Sequence, residues 1–475
     1  MFQKIFLSIV LFCAASIVVF FLLIKVIDFN EYKPKIQKTI KENTGYEILI
    51  KGDITLSLSP MGVRIFDIEV KNPYDTAGRS FATLGSFDVA VEIVPLLRKE
   101  IKIKYVTLDK LEVMIEKNKS GKYSYELVSS KPSHDKKPKN KQKVEIKETK
   151  EEPFPLVNIK KIKFLDVALF YQDLGTDTNA SVKKANFNIY DISFDVSRQN
   201  RLQGLFLRGD AQVEALQYDT FNASSLSATM EMKDAMLSMD NLSYTMFDSL
   251  IQGSVNLDLS AKTPKIFLKH KMSNLNLGAL SKGLWEKEVF DGRTSGDLKL
   301  SCSLGDMHEI KSTLSGFIFL EGEDIYVKNY DVPKLISNVK ETKVFNFPQL
   351  ILGNAIGSSN VNSMFTKAVF KTDIEYSEVH LSDIAFTTPK HRVAFKGALQ
   401  LIDEDFLDLK VALLDSKGCA TFEQTVVGKF TKPILKIDQK LLTVLANDKN
   451  GSIASLNVDK NCTPFYEGLL NHPKK

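Results

Sequence analysis

The chain has 475 residues, which is enough for several ordinary domains or for one elongated, repetitive body. Apolar residues make up 44% of it and charged residues 25%, and this composition excludes a wholly disordered protein. The 63 basic and 58 acidic residues leave a formal net charge of only +5. Such an even balance argues against nucleic acid as a partner.

An uncharged apolar run of 20 residues lies near the start of the chain, from Ile5 to Ile24. At about 1.5 Å per residue, a helix of this length spans a hydrocarbon core of about 30 Å. We therefore predict a transmembrane anchor within residues 1–27. A cleaved signal peptide is the alternative, but its apolar region would be shorter, and no small-residue cleavage site precedes Lys25.

The orientation of this anchor is left open by the charges around it. Lys4 precedes the apolar run, whereas five lysines follow it between residues 25 and 41. The excess of positive charge after the run favours a cytoplasmic body, but long domains translocate regardless of such charges.

A short helix is predicted over residues 28–45. Pro34 suits its first turn, Ile36 and Ile40 lie one turn apart, and Gly45 follows as a stop signal. Two further helices are predicted, at Leu275–Phe290 and Val332–Glu341.

From Gly52 onward, apolar and polar residues alternate with a period of two, which is typical of antiparallel strands with one apolar face. Two similar stretches, beginning at Leu237 and Val379, indicate repeated strand units. We predict a mainly β fold, an elongated and curved antiparallel sheet with a few short helices. The apolar positions expected to line a groove on this sheet are Ile54, Leu56, Leu58, Val89, Val91, Ile93, Ile101, Ile103, Val113, Val255, Leu257, Leu298, Leu300, Leu409 and Val411.

A lysine-rich stretch separates two β regions, at residues 28–128 and 154–475. Residues 129–153 contain many lysines, interleaved acids and no Phe, Tyr or Trp, so we predict a disordered linker. A basic patch for anionic lipid head groups or nucleic acid is the alternative, which the interleaved acids weaken.

Catalytic and metal-binding motifs are missing from the sequence. The six histidines stand in no metal-ligand spacing, no Cys-x-x-Cys pair exists, and no nucleotide-binding or hydrolase motif is found. We therefore predict no catalytic residue, no metal site and no cofactor. An enzyme whose groups assemble only in three dimensions remains an alternative. An apolar sheet face that stays open would suit acyl chains.

Two long stretches near the start of the chain are IDFNEYKPKIQKTIKENTGYEILIKGDITLSLSP and FATLGSFDVAVEIVPLLRKEIKIKYVTLDKLEVMIEKNKSGKYSYEL. In these stretches the N-terminal region resembles the AsmA family of bacterial envelope proteins. Similar segments return later, as GRTSGDLKLSCSLGD, STLSGFIFLEGEDIYVKNYDV, GCATFEQTVVGKFTKP and NCTPFYEGLLNHP. Asn329 departs from the family, which usually has glycine before the Tyr-Asp pair.

The resemblance implies an inner-membrane protein with a cytoplasmic N-terminus and a periplasmic body. It also implies a groove that binds or transfers membrane phospholipid without catalysis and supports outer-membrane biogenesis or lipid homeostasis, with envelope proteins as further partners. A role as an assembly factor or scaffold for outer-membrane proteins is the alternative. Cys419 and Cys462 fall at paired-looking cysteine positions of the family, which implies a disulfide; two free thiols are the alternative.

Overall fold

The computed structural model describes residues 28–58, 61–72, 80–92, 95, 102–126, 159–195, 197–198, 200–334, 336, 361–436 and 462–473. The chain divides into two compact units, which separate at Ile192–Ser193 and are treated one at a time below. The predicted anchor and linker, residues 1–27 and 129–153, lie outside the described residues. Within the described ranges, no helix is both long and apolar enough to cross a membrane.

The first unit begins with the helix predicted from Pro34 and Gly45. A 3₁₀ turn, Phe29–Tyr32, leads into helix α1, Lys33–Thr44. Gly45 adopts the left-handed conformation, with φ of 78°, and its N–H donates to the carbonyl of Lys41. The apolar face of α1 packs through Ile36 and Ile40 on the sheet.

The sheet of the first unit is antiparallel except at one step. Strands β1 and β2 both pair with β3, and the order then follows the chain, but β5 and β6 run parallel. Parallel neighbours need a long connection, which residues 118–160 provide. The strands are β1 Ile48–Ile50, β2 Ile54–Leu58, β3 Met61–Lys71, β4 Ser80–Val91, β5 Ile103–Lys117, β6 Lys161–Asp173 and β7 Thr178–Phe194.

The second unit is an antiparallel meander, in which each described strand pairs with its neighbour in the chain and β17 and β18 together fill the place between β16 and β19. This confirms the mainly β fold. Its strands are β8 Leu205–Tyr218, β9 Phe221–Lys233, β10 Met236–Met246, β11 Ser249–Asp258, β12 Lys265–Asn276, β13 Phe290–Ser303, β14 Ser315–Val327, β15 Ser363–Glu375, β16 Glu378–Thr387, β17 Arg392–Lys396, β18 Ala398–Gln400, β19 Asp405–Leu414, β20 Ala420–Lys429 and β21 Ile434–Lys436.

Short helices interrupt this meander: α2 Arg201–Gly204, α3 Leu277–Trp285 and α4 Met307–Thr313. Helix α3 falls within the predicted range because Asn276 caps it, accepting hydrogen bonds from the N–H groups of Gly278 and Ala279. Of the helix predicted at Val332–Glu341, residues 332–334 and 336 are helical, and the remainder lies outside the described residues.

Candidate functional site

An apolar surface crosses strands β10 to β13 of the second unit. Two rungs of directly opposed side chains form it, since antiparallel pairing places the partners of neighbouring strands on one face. We call it the open face; its residues are Met239, Val255, Leu268 and Leu300 in one rung and Leu237, Leu257, Ile266 and Cys302 in the other.

The two sides of strand β12 differ in polarity and exposure. Ile266 and Leu268 point to the open face and are half-buried, whereas Lys265, Phe267 and Lys269 point to the opposite side and are exposed. All eight side chains of the open face are half-buried, so the structure leaves part of a continuous apolar surface in contact with solvent. Val255, Leu257 and Leu300, which the sequence predicted as groove residues, belong to it.

Leu298, also predicted as a groove residue, is half-buried on the next rung opposite His270. The imidazole of His270 is 6% exposed, and its ring meets the edge of the Tyr244 ring at a centroid distance of 5.7 Å. Burial lowers the pKa of His270 and raises the pKa of Tyr244. The Nε2 atom of His270 has no hydrogen-bond partner among the described residues. This histidine is therefore a neutral polar group at the margin of the apolar surface.

Gly253 lies opposite His270 on the neighbouring strand. A Cβ atom on Gly253 would lie 1.9 Å from the carbonyl oxygen of Lys269, so any side chain there would collide with the backbone of β12. The close approach of these two strands therefore requires glycine.

Cys302 closes the second rung of the open face as a free, half-buried thiol. Burial raises its pKa, which keeps the thiol protonated at neutral pH.

A packed cluster bounds the open face on the side of His270. Ile251, Met272 and Leu275 are buried there, and Leu280 of helix α3 packs against them. Leu298 and Leu320 also contact this cluster, so the apolar surface of the open face is continuous with a buried apolar cluster.

Further along the sheet, the same face is covered. Leu409 and Val411, predicted as groove residues, are 1% and 2% exposed within a cluster that includes Val332 and Ile336. We call this cluster the closed core; its other buried members are Ile325, Val327, Tyr330, Phe365, Phe386, Val393, Phe395, Phe406, Phe422 and Val426. The segment after β14 packs on the strands and seals them, so Leu409 and Val411 are core residues and do not line an open surface.

The opposite face of these strands is covered by the C-terminal segment, residues 462–473. Tyr466 and Leu470 pack against a surface of small residues, Ala385, Ala394 and Ala412. The small side chains leave room for the segment to lie close to the sheet.

Polar bonds and a disulfide hold this segment in place. The buried guanidinium of Arg392 donates from Nη1 to the carbonyl of Leu470 at 2.8 Å and from Nη2 to that of Asp415 at 3.0 Å. The Tyr466 hydroxyl donates to Oδ1 of Asp383 at 2.6 Å. Burial and this bond raise the pKa of Tyr466, while burial lowers the pKa of Arg392.

The structure joins Cys419 and Cys462 in a disulfide. Their Cα atoms are 6.2 Å apart, within the range that a disulfide requires. The bond ties the C-terminal segment to the start of β20.

In the first unit, six of the predicted groove residues are described with their side chains. Ile54 is 6% exposed in the cluster that α1 covers, so it is a core residue. Five are half-buried: Leu56, Val89, Val91, Ile103 and Val113.

Strand pairing places most of these residues directly opposite another apolar residue on the neighbouring strand. Val63 of β3 has Leu56 and Val89 as its two direct partners, and Val91 pairs with Ile103. Val113 pairs with Ala82, and Leu58 pairs with Met61. Ile93 and Ile101 lie outside the described residues.

No group of three or more histidine, cysteine, aspartate or glutamate side chains in the described part of the chain is placed to hold a metal ion. The polar group that sequence reasoning missed is His270. Its position within an alternating strand was visible in the sequence, but no local signal indicated that its Nε2 would be buried without a partner.

Comparison with protein families gives a match to the N-terminal part of the chain. Residues 2–194, about two fifths of the chain, match the model of the AsmA family. The resemblance found in the N-terminal region is therefore confirmed, while the later similar segments lie beyond the matched range. No curated protein matches the chain.

Proposed function

We propose that this AsmA family protein binds phospholipid through its acyl chains on the open face and transfers it, without catalysis, in support of outer-membrane biogenesis or lipid homeostasis. The observation that carries the proposal is the pair of four-residue apolar rungs across β10 to β13, half-buried in an otherwise folded unit. A methylene group removed from water contributes about 0.8 kcal/mol, so a surface of this kind favours an apolar occupant.

The open face suits an acyl chain because it is apolar across neighbouring strands as well as along each strand. At about 4.8 Å between strands, four strands present a strip about 14 Å wide across the sheet. A flexible hydrocarbon chain can follow such a strip without any directional contact.

For the placement of the protein, we propose an inner-membrane anchor at residues 1–27, a cytoplasmic N-terminus and a periplasmic body that also contacts envelope proteins. Family membership and the Cys419–Cys462 disulfide support this orientation, since disulfides persist in oxidising compartments. Fusion of alkaline phosphatase to the C-terminus should give an active enzyme, and fusion of green fluorescent protein should give no fluorescence. The opposite pair of results would place the body in the cytoplasm.

The lipid-binding proposal is tested by photo-crosslinking in living cells. A photoreactive benzoylphenylalanine replaces Leu268 on the open face or Phe267 on the opposite side of the same strand. With phosphate-labelled lipids, we expect crosslinked phospholipid at position 268 and little at position 267. Because the two positions are adjacent, expression level and membrane distance are matched.

No labelled lipid at position 268 while the protein is folded would contradict lipid binding on the open face. If position 268 instead crosslinks to an outer-membrane protein, the face serves assembly and not lipid transfer.

A further inference from the structure

A cleft with a volume of about 960 Å³ lies in the second unit on the side of the sheet opposite the open face. Strands β11 to β15 form its floor. Its charged and aromatic lining comprises Lys269, Lys271, Lys299, Lys371, Phe317 and Phe319 together with Asp297 and Asp373. The volume falls at the upper end of the range for small-molecule sites.

The lysines are brought together by strand register. Lys269 on β12 lies directly opposite Lys299 on β13, an arrangement of like charges that destabilises a sheet. Lys271 and Lys371 border the same cleft from β12 and β15. None of the four ammonium groups forms an ion pair with any described residue, although Lys271 lies directly opposite Asp297 and Lys371 directly opposite Asp383.

Two aromatic rings lie between the charges. Phe317 has Lys299 and Asp373 as its direct neighbours on the adjacent strands, and Phe319 has Asp297 and Lys371. Both rings are half-buried, and Leu469 from the C-terminal segment adds a further apolar contact at the cleft wall. The N–H of Leu469 donates to Oδ2 of Asp383 at 3.0 Å, which fixes this wall to the sheet.

We infer that this cleft binds an anionic ligand in which a phosphate group is joined to an apolar part. The four lysines and two aspartates of the lining leave an excess of two positive charges, or of one when Asp383 at the wall is included, and this excess attracts a phosphate group. Lysine binds phosphate as a point charge and needs no fixed fork geometry. The rings of Phe317 and Phe319 would contact the apolar part of the same ligand.

This inference is independent of the proposed function, because the cleft and the open face lie on opposite sides of the same strands. A ligand with this chemistry comes either from the head group of an anionic lipid or from a free phosphorylated compound. The size of the cleft and its two rings exceed what inorganic phosphate alone would fill.

The test uses the full-length protein in nanodiscs of neutral lipid and measures binding by isothermal titration calorimetry. The probes are dihexanoyl phosphatidylglycerol, dihexanoyl phosphatidylcholine, phenyl phosphate and pyrophosphate. The variant Lys269→Glu with Lys299→Glu reverses two cleft charges. Its matched control, Lys265→Glu with Lys287→Glu, makes the same change of net charge at exposed lysines outside the cleft.

We expect at least tenfold weaker binding of the anionic probe by the cleft variant, a change within threefold for the control, and weaker binding at high salt. Preference for dihexanoyl phosphatidylglycerol would assign the site to a lipid head group, and preference for phenyl phosphate would assign it to a free phosphorylated compound. Lys269→Gln with Lys299→Gln repeats the test if the charge-reversed protein does not fold.

Three results would overturn the inference: no binding of any anionic probe, equal binding of phosphatidylcholine and phosphatidylglycerol, or equal losses in the cleft and control variants. Binding of pyrophosphate as tight as that of phenyl phosphate would remove the role assigned to Phe317 and Phe319.

Discussion

The open face and the closed core occupy the same side of one antiparallel meander, yet one is half-exposed and the other is sealed. Val255 and Leu300 each lie between two polar residues, as Leu409 does, whereas Val411 lies between Lys410 and the buried Ala412, which faces the other side of the sheet. On the shared side of the sheet, the strands of both regions therefore carry apolar residues at every second position. What differs is the chain between the strands, because the segment that contains Val332 and Ile336 packs on one region and not on the other. Strand pattern specifies an apolar face, and non-strand segments decide whether that face becomes core.

The largest expected contrast comes from truncating one leucine in each region. Leu409→Ala should lower the free energy of unfolding by about 2–5 kcal/mol, because the cavity it leaves is fully enclosed. Leu268→Ala, its control on the open face, should cost about 1 kcal/mol or less, because water already reaches that side chain. Urea unfolding of both variants measures the contrast, and equal losses would mean that the open face is as tightly packed as the core.

Removal of the disulfide tests how strongly this bond holds the C-terminal segment on the sheet. The variant Cys419→Ser with Cys462→Ser should lose about 3–4 kcal/mol in the chain-entropy model, given a sequence separation of 43 residues. Thermal unfolding with and without reductant measures it. Cys302→Ser is the control, since this thiol is unpaired. A double variant as stable as the wild-type protein would show that the packing and hydrogen bonds of Tyr466 and Leu470 hold the segment without the disulfide.

A smaller loss of stability is expected from the replacement of Arg392, which also holds the C-terminal segment. Arg392→Met should lower the free energy of unfolding by about 1–3 kcal/mol, since the carbonyl of buried Leu470 loses the guanidinium donor and the carbonyl of Asp415 keeps only the N–H of Gly418. Lys410→Met, which removes an exposed ion pair with Glu423, should change it by less than about 1 kcal/mol. Limited proteolysis near residue 470 should be faster in Arg392→Met only. Unchanged proteolysis would show that the guanidinium does not hold the segment.

The smallest expected effect is the pH response at the margin of the open face. Burial holds the pKa of folded His270 below that of the unfolded chain, so the unfolded state binds more protons as the pH falls. The contribution of neutral His270 to the free energy of unfolding should therefore be complete above about pH 6.5, and it should decline as the pH falls toward the folded pKa. Urea midpoints at pH 7.5 and pH 5.0 measure the decline. His270→Gln should show a smaller one, and an identical decline would exclude His270 as its source.

The elements with strong local signals were predictable. Pro34 and Gly45 marked helix α1 at both ends, and two-residue alternation marked β11 and β13. The parallel pairing of β5 and β6 was not predicted, because the alternation of apolar and polar residues does not indicate whether a strand runs parallel or antiparallel to its neighbour. The turn at Phe247–Asp248 was also hidden, because both residues adopt positive φ without the glycine that usually signals such a turn.

The candidate sites were predictable in part. Val255, Leu257 and Leu300 were recognised because the alternation within each strand indicates which of its residues lie on the apolar face. Their separation from Leu409 depends on contacts between distant segments, which no local pattern records. The lysine cleft could not be predicted for the same reason. Lys269 and Lys371 border one cleft only because of the register of four paired strands.

The parallel step between β5 and β6 places a length requirement on the sequence that joins them. Val106 pairs with Ile162, so the chain that leaves β5 at Lys117 must return along the strand before β6 begins. At about 3.3 Å per residue, this return of about 36 Å needs about 11 extended residues. Residues 118–160 far exceed that minimum. Insertions, deletions and changes of charge in this stretch are therefore compatible with the same topology, provided that the minimum span is kept.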